Sequence, residues 1–236
     1  LNLTNKKDIL LQAEQIIQKE KADIFVLPEC FNTGYQKIPN QYAEPHCGTT
    51  FKWMQNMAKK HQTAICGSII TEDQGFYNRL YFVTEKDFAF YDKIHLFRMG
   101  DEHLHYSPGQ KLQFVKYKNW NIQLFVCYDL RFPIFSHQYA DLIINIANWP
   151  EQRVYAWNQL LIARAIENQS YVVGCNRTGE DPILGKFCES SHIIDFMGKP
   201  CQKTEISLDD LKQFRMNFPA FQDKDDVELK IRIETK

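Results

Sequence analysis

Apolar residues at Ile9, Leu10, Ala13, Ile16 and Ile17 recur with the i, i+3, i+4 spacing of a helix that buries one face, and predict an amphipathic helix over residues 5–21. The period then changes. Residues 23–27 form a short, β-rich apolar run, and Pro28 ends it because proline cannot donate to a central ladder. A second helix is predicted over 50–61, capped by Thr49 or Thr50, with a strand over 63–70 behind it. Further strands are predicted over 78–83, 87–91, 113–117 and 121–126, the last two joined as a hairpin across Lys118-Asn119. A strand over 141–146 runs into Asn148-Trp149-Pro150. A long helix over 152–168 and strands over 170–175 and 192–195 complete the series. Such alternation of strand and helix signals predicts a layered α/β fold. No Gly/Ser-rich linker, low-complexity run or repeat divides the chain, so one domain is expected over 1–236. The charged tail over 224–236 is expected to be partly extended and to reach a neighbouring subunit.

Composition narrows the class. With 236 residues, 44% of them hydrophobic, the chain can bury a sizeable core. A net charge of -1 gives no reason to expect a nucleic acid or an anionic membrane as partner. No apolar run approaches the roughly 20 residues that span a bilayer, and no signal segment opens the sequence, so a soluble, cytoplasmic protein is expected. Seven cysteines, at 30, 47, 66, 127, 175, 188 and 201, are odd in number and scattered without a C-x-x-C pair. That spacing argues against a disulfide framework and a zinc site, so free thiols are expected. His103 and His105 flank Leu104 beside Glu102, but no third and fourth ligands recur at usable spacing, so neither a metal nor another cofactor is expected.

Candidate chemistry sits at three strand ends. Leu124-Phe125-Val126 stops at Cys127, after which the chain turns polar; residues 23–27 stop before Glu29; residues 88–91 stop before Asp92-Lys93. Ligands of α/β sheets bind beyond the carboxyl ends of strands, where a side chain can face substrate from a rigid support. Taken singly, Cys127 also reads as a packing cysteine, and Glu29 and Lys93 as surface charges. A thiol, a carboxylate and an ammonium at three such ends are together the parts of a covalent hydrolase.

These residues resemble a known family. Leu27-Pro28-Glu29, Tyr91-Asp92-Lys93-Ile94-His95-Leu96 and Cys127-Tyr128-Asp129-Leu130-Arg131-Phe132-Pro133 are similar, in chain order, to the three signatures of the carbon-nitrogen hydrolases of the nitrilase superfamily. Phe31-Asn32-Thr33-Gly34-Tyr35, His95-Leu96-Phe97-Arg98-Met99, Asn148-Trp149-Pro150, Ala163-Arg164-Ala165-Ile166-Glu167-Asn168-Gln169 and Phe218-Pro219-Ala220-Phe221 narrow the resemblance to the bacterial ω-amidase group. It runs over residues 23–226. It implies a four-layer α-β-β-α sandwich and a homodimer in which the sandwiches extend each other. Members open with a strand before the first helix, whereas this chain starts close to that helix, so the first strand is expected to be missing from it.

The resemblance also implies roles. Cys127 is the expected nucleophile, Glu29 the general base, Lys93 and the backbone N–H of Tyr128 the oxyanion donors, and Glu102 the group that orients substrate or Lys93. The implied substrates are ω-amides of short dicarboxylic 2-oxo acids, of the 2-oxoglutaramate and 2-oxosuccinamate type. The far carboxylate of such a substrate calls for a guanidinium: Arg153 first, then Arg98 and Arg131. Tyr35, Phe31 and Trp149 are expected as pocket walls, with the Tyr35 hydroxyl offered to the substrate carboxylate. Asp129 and Arg131 are expected to shape the turn by pairing with each other or with the backbone; His103 and His105 stay unassigned. The alternatives are an amidase for deaminated glutathione or an N-carbamoyl amino acid, a true nitrilase, a non-catalytic binding dimer, and a cysteine protease. The last lacks a histidine in a convincing partner context for Cys127.

Overall fold

A computed structural model describes residues 1, 8–182 and 184–225. Its elements are α1 (Ile9–Lys19), β1 (Ile24–Val26), β2 (Glu44–Pro45), α2 (Thr49–His61), β3 (Ala64–Glu72), β4 (Phe76–Val83), β5 (Phe88–Asp92), α3 (Glu102–His105), β6 (Phe114–Tyr117), β7 (Trp120–Val126), α4 (Pro133–Ser136), β8 (Leu142–Ala147), α5 (Val154–Asn168), β9 (Tyr171–Asn176), β10 (Gly179–Asp181), β11 (Gly185–Phe187), β12 (His192–Ile194) and α6 (Leu208–Asn217). Residues 5–7 of the first predicted helix and 226–236 of the tail lie outside the described residues.

Two sheets stack face to face. In the first, β1 pairs parallel with β3, which pairs antiparallel with β4, and β4 with β5; β2 adds a short parallel pairing to the far end of β3. The second has the order β12-β9-β8-β7-β6, with β7, β8 and β9 parallel, as crossover helices require. The period-2 alternation of β4 sorts the core. Leu80 and Phe82 face the second sheet and join Leu124, Val126 and Ile144, whereas Tyr81 and Val83 face outward onto Ile9, Ala13 and Ile17 of α1 and Met54 and Ala58 of α2. Trp157, Leu161 and Ala165 of α5 cover the outer face of the second sheet. A Cβ at Gly174 of β9 would lie 2.4 Å from Leu161 Cδ1, so glycine is what lets α5 seat this closely. The result is a four-layer α-β-β-α sandwich.

Most predicted elements appear within two residues of their expected bounds, and the Lys118-Asn119 hairpin has both central residues at positive φ, +46° and +70°, as a tight two-residue turn demands. Three details differ. Neither Thr49 nor Thr50 caps α2: Gly48 is the cap, and the Glu44 carboxylate accepts the Thr50 N–H at 2.7 Å, placing a negative charge at the positive helix end. The helix expected from residue 152 opens as a 3-10 turn, Glu151–Arg153, before α5. The capped α6, whose Ser207 hydroxyl accepts the Asp210 N–H, and the β10–β11 hairpin were not predicted. No helix among the described residues is long and apolar enough to cross a membrane.

Candidate active site

Each strand end is pinned by its own backbone device. After β1, the Leu27 N–H still donates to the Cys66 carbonyl at 2.7 Å, and the chain then reverses at Cys30, whose φ is +46° and whose N–H donates to Ser68 Oγ. Glu29 is left pointing inward, 1% exposed. Beyond β5, the Lys93 N–H donates to the Asn78 carbonyl at 3.0 Å and the Lys93 carbonyl accepts from Gly109 N–H. After β7, Cys127 adopts φ +50° and begins a 3-10 turn, Cys127–Arg131. A left-handed non-glycine residue costs on the order of 1–3 kcal/mol, and such strain persists only where the surroundings fix it.

Asp129 does the fixing. Its Oδ2 accepts from the Val126 N–H at 3.1 Å and the Tyr91 hydroxyl at 2.8 Å; its Oδ1 accepts from the His95 N–H at 2.9 Å and lies 2.7 Å from His95 Nδ1. One carboxylate therefore ties the cysteine turn of the second sheet to the lysine segment of the first. Of the two pairings expected for Asp129, the one with the backbone is present, through the Val126 and His95 N–H groups; Arg131 is exposed and lies over the Trp149 ring, 5.0 Å from its centre.

Glu29, Lys93 and Glu102 meet in the interior. Lys93 Nζ lies 3.0 Å from Glu29 Oε1 and 3.0 and 2.9 Å from the two Glu102 oxygens. Glu29 Oε1 also accepts from Asn78 Nδ2 at 2.8 Å and its Oε2 from the Asn148 N–H at 2.7 Å; the Asn148 amide in turn donates to the Glu29 carbonyl. Glu102 Oε2 is held by the Phe97 N–H at 2.6 Å. Burial opposes the ammonium of Lys93, but Glu102 and Glu29 outweigh it and hold Lys93 well above its usual range. Burial pushes Glu102 up, against the pull of Lys93.

Cys127 faces this cluster and lines the same cleft as Glu29 and Lys93. Burial first, then the Glu29 charge, push its thiol well above the ordinary value, with Lys93 opposing. The thiol is therefore protonated at rest. Two carboxylates against one ammonium leave excess negative charge, so a thiolate can form here only as its proton passes to a neighbouring base.

Glu29, Lys93 and Cys127 form the floor of a cleft of about 420 Å³, counting its open mouth, walled by Tyr35, Phe97, Tyr128, Trp149, Pro150 and Leu184 and carrying Arg131 and Arg153. Glu102 sits behind Lys93, 0% exposed. Tyr35 lines the cleft, but its hydroxyl donates to the Gly100 carbonyl at 3.0 Å, so that hydrogen is not offered to a ligand. Phe31 is no wall: it is buried on the helix side of the first sheet, 6.0 Å from the Trp53 ring. Arg98 is exposed on a 3-10 turn and does not line the cleft. Trp149 does, steadied by its indole N–H on the Arg153 carbonyl at 2.8 Å. All seven cysteines are free thiols. Sequence reasoning missed Asn78, Phe97 and Leu184, whose types give no chemical signal, and the part played by Asn148, although its segment had been singled out.

The fold and this buried acid–lysine–acid cluster define a layered α/β protein with a cysteine thiol at a strand end, facing two carboxylates and an ammonium. The carbon-nitrogen hydrolase profile matches residues 3–206, and the chain belongs to that family. It is 39% identical over 223 residues to the ω-amidase YafV of Escherichia coli K12, spanning 88% of this chain and 86% of that protein. It is 34% identical over 232 residues to the 2-oxoglutaramate amidase of Bacillus subtilis, spanning 90% and 89%. Among solved structures it resembles XC1258 from Xanthomonas campestris, a CN-hydrolase superfamily protein with an arsenic adduct in its active site, with TM-score 0.92 and 34% identity over 97% of this chain and 95% of that one.

Proposed function

We propose that this chain is an ω-amidase, hydrolysing the terminal amide of short dicarboxylic 2-oxo acids to the dicarboxylate and ammonia. The observation that carries the reading is the Glu29–Lys93–Glu102 cluster buried against Cys127 at the floor of a cleft with two guanidinium groups. The cluster supplies amide chemistry, and the arginines suit a substrate with a distant carboxylate. The names of the relatives point to the same substrates. The reading takes residues 1–236 as one domain, working as a homodimer.

In the first half-reaction, Cys127 Sγ attacks the amide carbon as its proton moves to Glu29. The oxygen of the tetrahedral adduct takes hydrogen bonds from Lys93 Nζ and the Tyr128 N–H. Lys93 has three hydrogens; one on Glu29 and one shared by the two Glu102 oxygens leave one for the oxyanion. The C–N bond then breaks, and the proton held by Glu29 leaves with the nitrogen as ammonia. In the second half-reaction Glu29 removes a proton from water, which attacks the thioester, and returns it to Sγ. Such acid–base catalysis contributes roughly 100- to 10,000-fold. Glu102 does not touch the reacting atoms; it holds the ammonium in place from behind.

The test is ammonia release from 2-oxoglutaramate, 2-oxosuccinamate, a neutral short amide and a nitrile, with Cys127→Ala as control. Fast release from the 2-oxo acid amides alone, lost in the variant, is expected. Release from the nitrile or the neutral amide in preference would overturn the substrate assignment while leaving the thiol chemistry intact.

A further inference from the structure

Asn78 touches both reactive residues of the first sheet, yet lies outside the cleft. Its Nδ2 donates to Glu29 Oε1 at 2.8 Å, the oxygen that also receives Lys93 Nζ, and its backbone carbonyl accepts the Lys93 N–H at 3.0 Å. It is 1% exposed, in the middle of β4, on the face that points between the sheets. The antiparallel ladder of β4 with β5, from Arg79↔Asp92 to Val83↔Phe88, fixes the register of the backbone that carries Asn78 and Lys93.

The amide is not there to satisfy itself. Its Oδ1 is buried and accepts no hydrogen bond among the described residues. A buried polar atom without a partner is destabilising, so an apolar residue would serve packing better at this position. The reversed amide would set two acceptors face to face at Glu29, which fixes the orientation with the N–H on the carboxylate. With Asn148 N–H holding Oε2 from the second sheet, Asn78 completes a two-sided grip that leaves Glu29 little rotational freedom.

We propose that Asn78 is a positioning residue for the reaction: its amide aims Glu29 at Cys127, and its carbonyl fixes Lys93 in step. The proposal rests on the reading of Glu29 as the base. If the base turns out of line, proton transfer from the thiol slows while substrate binding, made elsewhere in the cleft, does not. Turnover is then lost through kcat rather than KM.

The experiment compares Asn78→Leu, similar in volume but without a donor, and Asn78→Asp, which sets an acceptor against Glu29. Each is made in the parent and in a Glu29→Gln background. Two quantities are read: kcat and KM on 2-oxoglutaramate, and the rate at which iodoacetamide alkylates Cys127, followed on its peptide. Both single variants are expected to lose about 10- to 100-fold in kcat, a part of what a general base supplies, with KM within about twofold. Alkylation should slow in the parent and show no further slowing in the Glu29→Gln background, because effects that act through one group do not add. Unchanged kcat, or equal slowing of alkylation in both backgrounds, would overturn the proposal. Alkylation unaffected by Glu29→Gln itself would overturn the base assignment instead, whatever Asn78 does. Should Asn78→Leu fail to fold, Asn78→Ser, smaller than Asn and too short to reach Glu29, takes its place.

Discussion

Two ionic clusters lie on opposite faces of strand β4, one held by its Arg79 and the other touched by its Asn78, and they are built to different ends. On the helix-facing side, Arg79 Nε and Nη2 grip Asp92 at 2.6 and 2.9 Å, Nη1 reaches Asp73 and His46 at 2.8 Å each, and the Phe90 ring lies 4.2 Å from the guanidinium carbon. One cation meets two carboxylates there as well, but one of these, Asp73, is 41% exposed and shares its charge with water. On the inter-sheet side Lys93 also meets two carboxylates, yet both are buried, a thiol adjoins them and an open cleft reaches them. Ion-pair count does not separate brace from catalyst. Uncompensated buried charge beside a thiol and a way in for a ligand are what set the inter-sheet cluster apart as the candidate site.

The comparison breaks hardest at Cys127. Cys127→Ala should lower turnover by about 10,000-fold or more, as removing a covalent nucleophile does elsewhere, with little change in melting temperature. Ammonia assays and calorimetry on one preparation read both. The sharper version pairs the two cations. Lys93→Ala is expected to cut kcat by about 100- to 1000-fold per folded molecule through loss of an oxyanion donor, and to lower the melting temperature as well, because it strands the buried Glu29 and Glu102. Arg79→Met should destabilise by roughly 3 kcal/mol by stranding Asp92, or about 6–12 °C in melting temperature at 2–4 °C per kcal/mol. Its kcat at 25 °C should stay within about threefold. Were Arg79→Met to lose activity and keep its stability, the division between the two faces would fall.

The sequence showed the reactive groups more readily than their setting. Glu29, Lys93 and Cys127 were legible because each breaks an apolar run, and a break in hydrophobic period is a local signal. Glu102 was read from resemblance, since a glutamate in a polar segment says nothing by itself of being fully buried. Asn78 was out of reach: it looks like one more polar residue in a strand, and only the β1-β3-β4-β5 order of the sheet and the path of the chain beyond the end of β1 bring it to Glu29. Asp129 was legible as part of a motif but not as a clamp, because its partners Tyr91 and His95 lie 38 and 34 positions away. The helix α6 was overlooked although Ser207 and the acidic first turn mark its start, for its periodic face is thin: Leu211 and Arg215 are its buried residues. Phe31 was misplaced because an aromatic after a strand end can turn to either face, and the reversal at Cys30 sends it away from the cleft.

A smaller effect tests the mouth of the cleft rather than its floor. Arg153 lies on its wall with its guanidinium 5.5 Å from the Phe97 ring centre, available to a carboxylate from one side. Arg153→Ala is expected to raise KM for 2-oxoglutaramate by about 10- to 100-fold, the worth of one charge-assisted pair of hydrogen bonds, and to leave the constants for a neutral amide within about twofold. Arg131→Ala, at the same cleft, serves as the comparison. Equal losses on charged and neutral amides would remove the clamp role from Arg153, and a larger charge-selective loss for Arg131→Ala would move it there.

The smallest expected effect is a pH dependence confined to the bracing face. His46 Nδ1 lies 2.8 Å from Arg79 Nη1, and since a guanidinium can only donate, Nδ1 must accept and the imidazole must be neutral. Burial, then the charge of Arg79, hold His46 below its usual 6.5, with Asp73 and Asp92 opposing. The unfolded chain therefore binds a proton at this residue at a higher pH than the folded one. Between the two values the unfolded state carries more protons, and stability falls as the pH falls through 6.5 toward the folded value. His46→Gln, which keeps an acceptor and cannot titrate, should flatten part of this slope in melting temperature between pH 7.5 and 5.5. His192, also lowered by burial, supplies a remainder. Because the titrating group lies on the helix-facing side of the first sheet, turnover per folded molecule should be the same in parent and variant across that range. An unchanged slope in His46→Gln would show that Nδ1 takes up its proton without disturbing Arg79, and the helix-facing cluster would then be a looser brace than its distances imply.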